Sequence, residues 1–169
     1  MKITHVDHVA IAVRSLEEAT KLFLGVLGGE FITGGDDERL DIRTLQLRLT
    51  DMKVELMEPL SESSYLRAYL DKHGQGFHHM TIFVDDVEQA IREFDAGGYE
   101  VVDTNLEHPA WRETYLRPKS GFGTLLQIAD TDQSWDMPFE GVTLEAVLAG
   151  DAVWQDRGPV LRSSGRNDL

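Results

Sequence analysis

Apolar and polar positions along this chain change period in a repeated order. Val9, Ile11 and Val13 alternate with His8, Ala10 and Ala12, the two-residue period of a strand with one face packed. Leu16, Ala19, Leu22, Phe23 and Val26 then recur at helical spacing, with Ser15 at the N-cap position and Gly28-Gly29 behind. The same order returns further on. Met80, Ile82 and Val84 alternate with His79, Thr81 and Phe83. Asp86 caps a helical run of Val87, Ala90, Ile91 and Phe94, and Gly97-Gly98 ends it.

The two stretches align at an offset of 71 residues, with identity at His8/His79, Ile11/Ile82, Val13/Val84, Glu17/Glu88, Ala19/Ala90 and Phe23/Phe94. Each is followed by three segments of strand character, at about 30–33, 40–50 and 52–57 in the first unit and 99–104, 112–116 and 123–129 in the second. The pattern predicts an α+β chain of two βαβββ modules, forming a cup-shaped mixed sheet with helices outside. The modules span 1–60 and 76–130. Residues 61–75 form a helical connector, and 131–169 a partly disordered C-terminal extension with an apolar stretch at 142–148.

Alternation also sorts the polar residues. If the branched side chains of each first strand pack on the following helix, His8 and His79 point to the other face. In the last strand of each module Val54 and Leu56 oppose Glu55, and Leu126 and Ile128 oppose Gln127, 72 residues on. Two imidazoles and a carboxylate converging from separate strands suit a divalent metal. Taken singly, a strand histidine is more often a packed or solvated residue; the repeat is what lifts these four. His5 and His78 are expected to face away. His73 is expected in the connector, and His108 in a loop beside the cleft.

Composition narrows the partners. Sixteen Lys and Arg against 30 Asp and Glu give a net charge of −14. That argues against nucleic acid and against an anionic membrane surface, since both need clustered cations. There is no cysteine, so thiolate chemistry is excluded and a reducing compartment fits. The N-terminus lacks the features of a signal peptide and no apolar run is long enough to span a bilayer, so a soluble cytoplasmic protein is expected.

Four segments carry a resemblance: Asp7-His8-Val9-Ala10-Ile11-Ala12-Val13, Val54-Glu55-Leu56-Met57-Glu58-Pro59-Leu60, Gly76-Phe77-His78-His79-Met80 and Arg117-Pro118-Lys119-Ser120-Gly121. Together they resemble the vicinal oxygen chelate proteins over about residues 5–130, most of all methylmalonyl-CoA epimerases and then glyoxalase I. The resemblance implies one divalent ion (Co, Mn, Ni, Zn or Fe) held by His8, Glu55, His79 and Gln127. It also implies an acyl-CoA thioester near Lys119, with Arg112 and Arg117 as further cations. Such epimerases usually carry Glu where this chain has Gln127, and an amide cannot take a proton. Glu55 is then expected to be both ligand and base. Glu38, 17 residues before Glu55 and close to the family spacing, is the candidate second base, with Glu113 another possibility.

The function expected is metal-dependent proton transfer beside a carbonyl, epimerase-like. A glyoxalase I-like lyase, an iron(II) ring-cleaving dioxygenase and a small-molecule binding protein of the same fold are the alternatives. A homodimer is expected, because an incomplete cup commonly closes against a partner's edge.

Overall fold

The computed structural model describes residues 1–162; the end of the polar tail, 163–169, lies outside the described residues. The first half runs β1 (Ile3–Ala12), α1 (Leu16–Thr20, continued as a π-helix over Lys21–Val26), β2 (Glu30–Asp37), β3 (Ile42–Leu49) and β4 (Met52–Pro59). After α2 (Tyr65–His73) the second half repeats it with β5 (Gly76–Val84), α3 (Val87–Ala96), β6 (Val101–Asn105), β7 (Arg112–Leu116) and β8 (Leu125–Asp130). The caps foreseen for the two repeated helices form. Ser15 accepts from the Glu18 backbone N–H, and Asp86 accepts from those of Glu88 and Gln89.

With two further strands, β9 (Ala152–Gln155) and β10 (Gly158–Leu161), the strands of the described residues join one mixed sheet in the order β10-β9-β2-β3-β4-β1-β5-β8-β7-β6. The two first strands, β1 and β5, lie antiparallel at its centre, and each has the last strand of its own half parallel beside it. The sheet is open, with β10 and β6 at its edges. In the C-terminal extension the sequence marks one apolar stretch, 142–148, and places the disorder at the polar end from 162, nearly all of it outside the described residues. Residues 131–162 form α4 (Leu144–Ala149), β9 and β10, and β9 extends the sheet beyond β2.

Faces divide as the alternation requires. Leu45, Leu47, Val54 and Leu56 pack with Val13, Leu16 and Val147 under α1 and α4. Val84 and Ile128 pack with Val87 and Ala90 under α3. Each such side chain taken fully out of water contributes about 1.5–3 kcal/mol. α4 sits close because residue 34 is glycine: a Cβ there would lie 2.4 Å from the Thr44 carbonyl oxygen and 3.0 Å from Val147. The connector α2 packs on the opposite face, where Leu66 and Leu70 cover Ala10, Ala12 and Met57. That is the face that carries His8 and Glu55, so α2 walls one end of the site.

Candidate metal centre and its cavity

The outward-packing apolar residues leave the other sheet face to polar groups, and this face lines a cavity of about 850 Å³. Across it stand, in order, Glu55 on β4, His8 on β1, His79 on β5 and Gln127 on β8. Ligand atoms of His8, Glu55 and His79 all lie within 4.8 Å of one another, and all three residues are buried.

Each ligand candidate is held from behind. His8 Nδ1 lies 2.7 Å from Asp7 Oδ2, and Asp7 Oδ1 lies 2.9 Å from Lys53 Nζ, itself buried. A proton shared between Nδ1 and Asp7 leaves Nε2 turned to the cluster, 3.0 Å from Thr81 Oγ1 and 3.7 Å from Glu55 Oε2. Burial alone would raise the Asp7 carboxyl, but the hydrogen bond and charge of His8, with Lys53, outweigh it and bring it down to about 2. On β4, Gln46 Nε2 donates to Glu55 Oε1 at 3.2 Å, leaving Oε2 turned to His8.

His79 is the most telling member. Burial holds its imidazole well below the usual histidine range, helped by His8 and His78, so it is neutral. Its Nδ1 meets His78 Nδ1 at 2.9 Å, and its Nε2 is buried with no hydrogen-bond partner among the described residues. A buried nitrogen left without a partner is costly, and a metal ion satisfies it. The donor set, two imidazoles and a carboxylate with open positions left, therefore fits a divalent ion.

Several residues depart from the sequence expectations. His78 does not face away. The β1–β5 ladder passes from Ala10↔His79 to Ile11↔Phe77, so His78 is the extra residue of a bulge and joins His79 at the cavity, where burial lowers it to about 4. His5 does lie outside, stacked on Phe83. His108 lines the cavity, and His73 is exposed against Tyr69. Gln127 faces the cavity with its amide engaged at both ends: Oε1 accepts from Thr81, and Nε2 donates to Glu113 at 2.6 Å and to Tyr115 at 2.8 Å. Glu38 is on the cavity rim, exposed and paired with Arg162 at 2.6 Å, outside the cluster. Arg112 is spent on Asp130 and Glu88. Lys119 sits with Arg117 in the exposed turn between β7 and β8.

Sequence reasoning assigned no role to Asp7, Lys53 or Gln46, nor to the tryptophans. Asp7 next to His8 was the one available signal. Trp111, Trp135 and Trp154 all line the cavity, the last two from the C-terminal extension.

The model of the Glyoxalase/Bleomycin resistance protein/Dioxygenase superfamily matches residues 7–115, from the Asp7-His8 pair to Tyr115. The chain belongs to this superfamily. Among its relatives, the mitochondrial methylmalonyl-CoA epimerase of Dictyostelium discoideum is 28% identical over 131 residues, 76% of this chain and 79% of the relative. The ethylmalonyl-CoA/methylmalonyl-CoA epimerase of Cereibacter sphaeroides is 28% identical over 75% of this chain and 97% of its own. Solved superfamily folds agree. Methylmalonyl-CoA epimerase from Mycobacterium tuberculosis superposes with a TM-score of 0.70 at 28% identity, covering 78% of this chain and 90% of the other. A variant of the Streptomyces coelicolor enzyme, in complex with 2-nitronate-propionyl-CoA, does so with a TM-score of 0.70 at 25% identity, covering 78% and 100%. The superfamily match ends at Tyr115, before β8, α4, β9 and β10. Among the described residues no helix is long and apolar enough to cross a membrane.

Proposed function

We propose that this protein is a divalent-metal-dependent epimerase acting on an acyl-CoA thioester of the methylmalonyl type. The observation that carries the reading is the cluster of His8, Glu55 and His79 on the cavity face, in a chain whose relatives are named as epimerases of such thioesters.

His8, Glu55 and His79 would hold the ion. When bound, a divalent ion supplies Lewis-acid stabilisation of the oxyanion that develops when a carbon beside a carbonyl loses its proton. The chain's own residues do the rest. Asp7 and Lys53 fix the tautomer and plane of His8. Gln46 holds one oxygen of Glu55, leaving Oε2 free to take the proton. Tyr65 on α2 and the tryptophans wall the cavity and exclude water from a carbanion-like species.

The cavity rim is acidic, with Asp37, Glu38, Asp103, Glu107 and Asp156 against Arg39. The phosphates of coenzyme A therefore belong outside the cavity, at the exposed turn of Arg117 and Lys119, with the thioester reaching inward. The reading includes a homodimer joined through free sheet edges, and a place in the cytoplasm.

The deciding experiment is deuterium exchange on methylmalonyl-CoA in D2O, using protein reconstituted with Co, Mn, Ni, Zn or Fe(II). Ion-dependent incorporation at the α-carbon is expected. Two histidines and one carboxylate also make the facial triad of iron(II) oxygenases, so oxygen uptake on a catechol with the iron form is the second reading's assay. Uptake without exchange would replace the epimerase by a dioxygenase.

A further inference from the structure

Inversion at a carbon needs a proton taken from one face and another delivered to the opposite face, and Glu55 beside the histidines serves one face only. The buried carboxylates that line the cavity are Glu55 and Glu113; the other acidic groups there are partly or fully exposed on its rim. Along the sheet the order is β4, β1, β5, β8, β7, so Glu55 and Glu113 stand on opposite sides of the His8–His79 pair.

The internal repeat makes their placement specific. Gln46 pairs with Glu55 in the β3–β4 ladder, and Tyr115 pairs with Gln127 in the β7–β8 ladder. The counterpart of Glu55 is therefore Gln127, and the counterpart of Glu113, two residues before Tyr115, is Thr44. Each half contributes one carboxylate, from non-equivalent ladder positions. Amide and hydroxyl side chains, unable to carry a proton between carbon and solvent, occupy the mates.

Glu113 is built in. Its Oε2 accepts from Trp111 Nε1 at 2.7 Å, Tyr115 OH at 3.1 Å and Gln127 Nε2 at 2.6 Å. These donors lock the carboxyl group and spend one oxygen. Among the described residues Oε1 meets only Arg39, at 3.9 Å, which reaches over from the β2–β3 turn of the other half. An exposed carboxylate such as Glu38, tied to Arg162, has neither the fixed orientation nor the water-poor surroundings.

We propose that Glu113, through Oε1, is the second proton-transfer group of this site, acting on the face of the substrate carbon opposite to Glu55. This rests on the epimerase reading. In one direction the α C–H bond breaks, its proton goes to Glu55 and its electron pair into the enolate. The Oε1–H bond of a protonated Glu113 then breaks, and the enolate pair forms the new C–H bond on the other face. Glu55 ends protonated and Glu113 ionised, and the reverse direction exchanges their roles.

The test uses each epimer of methylmalonyl-CoA separately in D2O, with ion-loaded wild type and Glu113→Gln. Conversion between epimers should fall by at least ~10²-fold in the variant. One epimer should still exchange its α-hydrogen with retention, through Glu55, while the other should not exchange at all. Bound ion should stay stoichiometric, and Glu113→Asp should recover part of the conversion. Conversion within about threefold of wild type overturns the proposal. So does an equal loss of exchange from both epimers or loss of the ion, because Glu113 would then only position Gln127. A wild type that exchanges neither epimer fails the epimerase reading itself and takes this assignment with it, an outcome seen before any variant is made.

Discussion

Asp7 Oδ2 lies 2.7 Å from His8 Nδ1, both side chains buried, and this contact decides which nitrogen of His8 faces Glu55 and His79. An Asn at position 7 keeps the shape but replaces the anion by a neutral amide, so the imidazole loses basicity and its fixed tautomer. Asp7→Asn should weaken divalent-ion binding by ~10–100-fold, the usual cost of losing a partner behind a metal-bound histidine. Titration calorimetry with Zn or Co on the two proteins reads this directly. Equal affinities would show that the contact serves folding alone.

Removing a ligand goes further. Among the described residues His79 Nε2 has no partner, so His79→Ala should abolish stoichiometric ion, and His8→Ala should do the same. Elemental analysis after reconstitution and desalting is the check. Near-normal ion content in either variant would dissolve the site as drawn.

Glu55 separates binding from chemistry. Glu55→Gln keeps an oxygen for the ion and a partner for Gln46, but it cannot take a proton. Exchange on methylmalonyl-CoA should drop by at least ~10²-fold while ion is partly retained. Unchanged exchange would leave Glu55 as a ligand only.

The central strands and their polar faces were legible because two independent copies of one pattern agreed: His8 with His79, and Glu55 with Gln127. Local irregularities were not. A bulge inserts one residue without changing composition, so period-two counting sent His78 outward while the ladder shift brings it to His79. The spacing that the resemblance implies points to Glu38, but the β2–β3 turn leaves it on the rim with Arg162. For Glu113 the sequence offers only a strand that borders the cavity; its surroundings, Trp111, Tyr115 and Gln127, are gathered by strand pairing. The strands β9 and β10 have four residues each, too short for alternation to register against a polar tail.

Stability without metal should fall with acid in two separate windows. Burial lowers His78 to about 4 and pushes His79 well below its usual 6.5. Between those values the unfolded chain binds protons that the folded chain refuses, so stability declines as pH falls from about 6.5 toward 4. Asp7 acts lower: its contribution is complete above about 3.8 and is lost as pH falls through about 2. Urea unfolding of metal-free His78→Asn should show a shallower loss between pH 6.5 and 4. Curves parallel to wild type would mean that His78 titrates as a solvated histidine.

The C-terminal extension should matter to the cavity as well as to stability. Val147 on α4 is fully buried against the apolar layer of β3 and β4, over Gly34. β9, which follows α4, brings Trp154 to the cavity, where its indole donates to Thr44 at 2.8 Å and packs on Trp135 with ring centroids 5.9 Å apart. Arg162, the last described residue, ties the extension to Asp36 and Glu38. Val147→Ala removes two methyl groups from a site that a neighbouring helix cannot easily refill, and should cost about 1–3 kcal/mol. Because all three tryptophans line the same cavity, loosening α4 should also red-shift intrinsic emission under conditions where the secondary structure is intact. Circular dichroism and fluorescence recorded along one thermal ramp test both parts. A variant with unchanged melting and unchanged emission would show that the extension is an appendage independent of the cavity.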